Sequence, residues 1–154
     1  VRKAPPETMN ELETYIKNTV GALNELMAEV LLVKVKQQTR LAARYAGVVW
    51  GLSALLENAH LFTSKGRFYL PVNLTENERV KVVVNTAEEY LVKVRGFKEY
   101  VPDSLLPVML PVSLADVYLK NLKKNDFDLD ISRKNYPRLR KLLSFYCNVV
   151  RKRY

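Results

Sequence analysis

Residues Ala42–His60 read "AARYAGVVWGLSALLENAH". Ala42, Ala43, Ala46, Gly47, Gly51, Ser53 and Ala54 supply small side chains at close intervals. A segment without bulky groups lets a neighbouring backbone approach, so a helix from about Gln38 to about His60 is expected at the centre of the fold. Beyond it, Gly66 closes a turn and Arg67–Pro71, "RFYLP", forms a short extended segment halted by proline.

Upstream, residues 7–32 read as one long helix. Thr8 and Glu11 have capping-box spacing, in which each side chain satisfies a free backbone N–H. Leu12, Tyr15, Ile16, Thr19, Val20, Leu23, Leu26, Met27, Val30 and Leu31 recur at steps of three and four, the period of one helix stripe. Pro5-Pro6 forms a lead-in that does not belong to a helix interior.

Downstream, Glu76 to Tyr100 is read as a helix despite the β-branched Val80, Val82, Val83 and Val84, because Ala87–Lys93 continues a helical pattern. A short helix is expected after Asp103. A longer one is expected from Ser113, with Ser113 and Asp116 at N-cap and N3. Asp126–Pro137 is read as a loop, and a last helix starts near Pro137, a residue accepted in a first turn. No strand pair, repeat or low-complexity stretch interrupts this series. The predicted architecture is an all-α antiparallel helical bundle, one domain over residues 1–154.

The composition fits a globular chain of 154 residues, with 48% apolar and 27% charged residues. Its net charge of +9 is unusual. Such an excess points to RNA, an acidic protein or an anionic membrane surface, or simply to the basic composition of mitochondrial matrix proteins. The single cysteine forms no internal disulfide, and with one histidine a protein-only zinc site is disfavoured. Leu105–Ala115 is the nearest approach to a membrane span, but Pro107 and Pro111 are expected to interrupt it, so no transmembrane segment is predicted. Peripheral membrane contact stays open. The chain opens on Val1 rather than Met, which suggests processing or a partial chain.

His60 lacks a readable Ser, Cys or Asp partner and is expected to be structural or superficial. Cys147 falls on the apolar stripe of the final helix, where buried filler is the favoured role. Asp126, Asp128 and Asp130 alternate like a calcium loop but lack its glycine and distal glutamate, so capping or ion pairing is preferred. After Ile131 all charged side chains are positive: Arg133, Lys134, Arg138, Arg140, Lys141, Arg151, Lys152 and Arg153. Interleaved Tyr136, Tyr146 and Tyr154 make an RNA-binding surface conceivable, against the alternative of a solvated helix face.

In order, "TMNELETYIKNTVGALNELM", "AGVVWGLSALLENAHLFTSKGRFYLP" and "LLPVMLPVSLADVYLKNLKKNDFD…KNYPRLRKLLSFYCNVVRKRY" resemble the squalene/phytoene synthase family. The last stretch is similar to its mitochondrial branch of complex I assembly factor six. The resemblance implies a partial isoprenoid-synthase-like fold, corresponding to the later part of the family's fold. In active members the helix before "GRxYLP" reads N-x-x-R-D-x-x-x-D. Two aspartates four residues apart then share a helix face and hold Mg²⁺ against a substrate diphosphate.

Counted back without a gap from Gly66-Arg67, the motif's Asn falls on Ala54, its Arg on Glu57 and its aspartates on Asn58 and Phe62. The resemblance thus implies a degenerate metal motif and no metal cofactor. The family's first aspartate-rich motif would lie upstream of Val1, and "NLTENERV" is shorter than the corresponding family loop.

The implied function is a non-catalytic scaffold in the mitochondrial matrix, binding other proteins of a large assembly. An RNA-associated factor or component of the mitochondrial ribosome, contacting rRNA, is the alternative. Prenyl transfer is the lesser one. Lys65 and Arg67 join the basic residues above as candidate anion, RNA or partner contacts. If the chain starts near Val1, the helices that would cover one side of the Gln38–His60 helix are absent, and a partner subunit or unseen parts of the same protein are expected to pack there.

Overall fold

A computed structural model describes residues 5–65, 69–71, 73–134, 143 and 147. The chain is all-α, with the fold of the isoprenoid synthases, and the described residues contain no strand. Helix α1 (Met9–Ile16) passes through a π-helical turn (Lys17–Gly21) into α2 (Ala22–Leu31). Then come α3 (Gln37–Glu57), α4 (Ala59–Thr63) and α5 (Glu76–Gly96). Two 3₁₀ turns, Lys98–Tyr100 and Asp103–Leu105, lead into α6 (Leu106–Lys124), and α7 (Leu129–Lys134) follows.

The small-residue helix occupies the centre, as expected. Helix α3 packs against α2, the π turn, α5 and α6. No residue from Leu41 to Glu57 is exposed. Small residues make this possible at two crossings. A Cβ on Gly47 would stand 2.6 Å from Val20 O and 2.9 Å from Gly21 Cα. One on Gly51 would stand 2.8 Å from Ile16 Cγ2. The expectation of an uncovered side on this helix is therefore corrected: α1, α2, α5 and α6 surround it.

The uncovered apolar face belongs to α2. Leu12 and Ile16 are buried, but the core-facing positions then become Gly21, Asn24 and Ala28. A π turn inserts a step of five into a helix otherwise stepping by three or four, rotating everything beyond it by roughly one residue. The apolar stripe consequently splits, and Leu23, Leu26, Met27, Val30 and Leu31 face outward. The capping box is also shifted. Glu11 N–H donates to Thr8 Oγ1 at 3.3 Å, while the Glu11 carboxylate accepts from Glu7 N–H at 3.2 Å.

Helix α5 confirms the reading of the valine run as helical, with Val80, Val83, Val84, Ala87, Leu91 and Val94 on its buried side. Its start is fixed by Glu78, which accepts from Thr75 N–H at 3.0 Å and from the Thr75 hydroxyl at 2.6 Å. Those bonds hold the Glu78 carboxyl below its ordinary pKa.

Several expectations farther on are corrected. Pro107 sits in the first turn of α6 and Pro111 lies inside it, so the two predicted helices are one. Ser113 is then mid-helix, its hydroxyl donating back to Leu110 O at 2.8 Å rather than capping. The helical stretch 103–124, including the 3₁₀ turn, is by length and composition long and apolar enough to cross a membrane, yet half of its most apolar part is buried inside the fold. Residues 129–134, read as loop, form α7, because Asp128 caps it: Ile131 N–H donates to Asp128 Oδ1 at 2.7 Å. Asp126 and Phe127, at φ 51° and 63°, turn the chain between α6 and α7. The helix expected from Pro137 lies outside the described residues, apart from Leu143 and Cys147. Cys147 is exposed, which corrects its assignment as buried filler.

Candidate functional site

The positions matched to the family's metal-binding helix do not lie on one continuous helix. Helix α3 ends at Asn58, whose backbone leaves the helical region at φ −104° and ψ 8°. Its side-chain Nδ2 donates to Ala54 O at 2.8 Å, and its own N–H reaches the same carbonyl at 3.1 Å. Phe62 belongs to the separate turn α4 and packs edge-on against Tyr69, ring centroids 4.8 Å apart. Ala54, Glu57 and Asn58 are each partly buried.

This donor set does not fit Mg²⁺. Magnesium takes hard oxygen ligands in near-octahedral geometry. Ala54 and Phe62 offer no side-chain oxygen, Asn58 offers only a neutral amide oxygen while its Nδ2 bonds Ala54 O, and Glu57 is the one carboxylate. Among the described residues no three His, Cys, Asp or Glu side chains converge as a metal site.

A cavity of about 700 Å³ lies beside this region. Leu55 of α3, Phe62 of α4, Tyr69, Leu70, Val80 of α5 and Phe127 give it an apolar and aromatic wall, while Arg79, Asp128 and Asp130 add charge. The aspartates are committed locally. Asp128 caps α7, and Asp130 pairs with Arg133 at 3.7 Å. These are the capping and pairing roles expected for them. His60 lies on the cavity wall and is exposed.

Of the basic candidates, Lys65 is exposed after α4, and Arg133 and Lys134 are exposed at the end of α7. Arg67, Arg138, Arg140, Lys141, Arg151, Lys152 and Arg153 lie outside the described residues.

Sequence reasoning missed a polar cluster where α1, the π turn and α5 meet. Tyr90, only 3% exposed, donates its hydroxyl hydrogen bond to Glu13, and Lys17 Nζ lies 2.6 Å from the same carboxylate. Lys93 Nζ stands 4.5 Å from the Tyr90 ring centroid, and the Tyr45 ring meets Tyr90 edge-on at 5.3 Å. Burial alone would push the Glu13 carboxyl up. The bonds from Lys17 and Tyr90, with the charges of Lys17 and Lys93, hold it below its ordinary value. The bond to Glu13 raises Lys17, and burial followed by that bond raises Tyr90. The four-residue spacing of Glu13 and Lys17 was readable. Nothing local pointed to Tyr90.

Comparison with known proteins gives a consistent result. The family model for squalene/phytoene synthase matches residues 1–141. The NADH dehydrogenase (ubiquinone) complex I, assembly factor 6 of Mus musculus is 28% identical over 96% of this chain and 49% of its own length. Its Bos taurus counterpart is 28% identical over 95% and 49%. The Dictyostelium discoideum homolog is 24% identical over 79% of this chain and 39% of its own. The chain thus spans about half the length of the mammalian relatives it matches. No solved structure matches it. With the ordered motifs, the all-α fold and a family model covering nearly the whole length, the chain belongs to the squalene/phytoene synthase family.

Proposed function

We propose that the chain is a non-catalytic member of this family that serves the assembly of mitochondrial respiratory complex I by binding proteins, in the matrix. Two lines support the reading. The related assembly factors align with almost the full chain. The position where the family places paired aspartates holds a helix break at Asn58 and a ring at Phe62. The second observation carries the non-catalytic half of the proposal. Diphosphate departure leaves an allylic cation and needs its negative charge neutralised, and one carboxylate at Glu57 does not assemble the required ion site.

The basic C-terminal third motivated an RNA-associated alternative. The comparisons give it no support, and most of those cations lie outside the described residues. Affinity purification from mitochondria, with and without nuclease, separates the two. The scaffold reading expects complex I subunits or assembly intermediates to remain bound after nuclease. Loss of every partner on nuclease treatment, or Mg²⁺-dependent diphosphate release from farnesyl diphosphate, would overturn it.

A further inference from the structure

Helices α1 and α2 present one outward stripe that ends in opposite charges. Tyr15, Leu23, Leu26, Met27, Val30 and Leu31 are exposed along it, Leu23 and Leu26 each at 57% and Val30 at 85%. At the helical rise per residue, Tyr15 to Leu31 spans about 24 Å. The acids of α2 do not interrupt the stripe: Glu25 and Glu29 turn toward α3, where Arg44 and Arg40 lie 3.4 and 3.2 Å away. Its N-terminal end carries the exposed acids Glu7 and Glu11, and a shallow hollow of about 390 Å³ lies there among Asn10, Glu11, Thr14 and Tyr15. Its C-terminal end carries Val33, fully exposed, beside the exposed cations Lys34 and Lys36.

We propose that this stripe is the interface of a two-fold dimer, in which a second copy of the chain lies antiparallel across it. Contiguous exposed apolar residues at helical spacing mark an interface, and charge at its rim selects the partner and its register. A two-fold contact brings one patch against itself, so such a patch must be self-complementary. This one is. Turned end for end about Leu23, it sets Val33, Lys34 and Lys36 of one copy over the hollow at Tyr15 and the acids Glu7 and Glu11 of the other. Leu23 then faces its own counterpart near the axis. The opposed charges favour a second copy over a lipid surface, because an anionic bilayer attracts Lys34 and Lys36 but repels Glu7 and Glu11. This contact stands independently of any role in complex I.

The test uses the full chain as its own gene encodes it, purified as a mixture of isotope-labelled and unlabelled copies carrying Val33→p-benzoylphenylalanine. Sedimentation is expected to show a dimer at micromolar concentration. Illumination is expected to join position 33 to the peptide of residues 11–15, with mixed-isotope pairs marking the link as one between copies. Leu23→Glu sets two carboxylates face to face near the axis and is expected to weaken the dimer at least about tenfold. Val92→Glu, at a comparably open position on α5, is expected to leave it unchanged. Circular dichroism of both variants checks that the helices remain intact. A monomer at every concentration, a dimer indifferent to Leu23→Glu, or a cross-link confined to another segment of the same polypeptide would overturn the proposal.

Discussion

The Tyr90 hydroxyl donates a hydrogen bond to Glu13 Oε1, joining α5 to α1 across 77 positions of the chain. Lys17 binds the same carboxylate from within the π turn. Helices α1 and α5, which both pack on the central α3, are thereby tied directly to one another by a polar contact. Tyr90→Phe keeps the ring against Tyr45 and removes only the donor. The expected loss is about 1–2 kcal/mol, the range for a hydrogen bond to a partly solvated charged group, measured by urea unfolding at neutral pH.

The same cluster sets a pH dependence. Glu13 titrates below its unfolded value of 4.5, so its contribution is fully present above that value and is lost as pH falls through the lower folded pKa. Lys17 and Tyr90 are raised above 10.5 and 10.0, so theirs is present below those values and is lost as pH rises through the folded ones. The stability difference between wild type and Glu13→Gln should therefore shrink in acid. An unchanged difference down to acid unfolding would contradict the assigned contacts.

Close approach at the centre makes the glycines unequal. Gly47→Ala drives a Cβ onto the backbone of Val20 and Gly21 and is expected to cost about 2–3 kcal/mol. Gly51→Ala meets the side chains of Ile16 and Val20, which can yield, and should cost less. Gly96→Ala meets nothing within 4 Å and is expected to be neutral or slightly stabilising. Thermal unfolding of the three variants checks the order.

Asp126 holds φ at 51° on an exposed turn, where glycine carries no Cβ penalty. Asp126→Gly is expected to stabilise by about 0.5–1 kcal/mol. Destabilisation in urea would show that the carboxylate makes a compensating contact.

Legibility followed how local each cause was. The central helix was readable because Gly47 and Gly51 advertise close packing in their own composition. Helix α5 was readable because Ala87–Lys93 extended the pattern of its valines. The π turn was not, since a stripe counted at 3.6 residues assumes an uninterrupted helix. That assumption put Leu23, Leu26 and Val30 on one stripe with Leu12 and Ile16. Pro111 misled for a related reason: packing of α6 on α3 outweighs one missing backbone bond. At the candidate site, alignment to the family motif put Asn58 and Phe62 in the decisive positions. The break between them went unread, although Asn is itself a common helix-ending residue.

The proposed function in respiratory-complex assembly requires no carboxylate-dependent chemistry at Glu57. Its most direct test is the amount of assembled complex I on native gels in source cells lacking the gene, re-expressing either wild type or Glu57→Gln at equal protein level. The account predicts that complex I falls on deletion and is restored equally by both. Complex I that is unchanged on deletion, or restored by wild type alone, would contradict it.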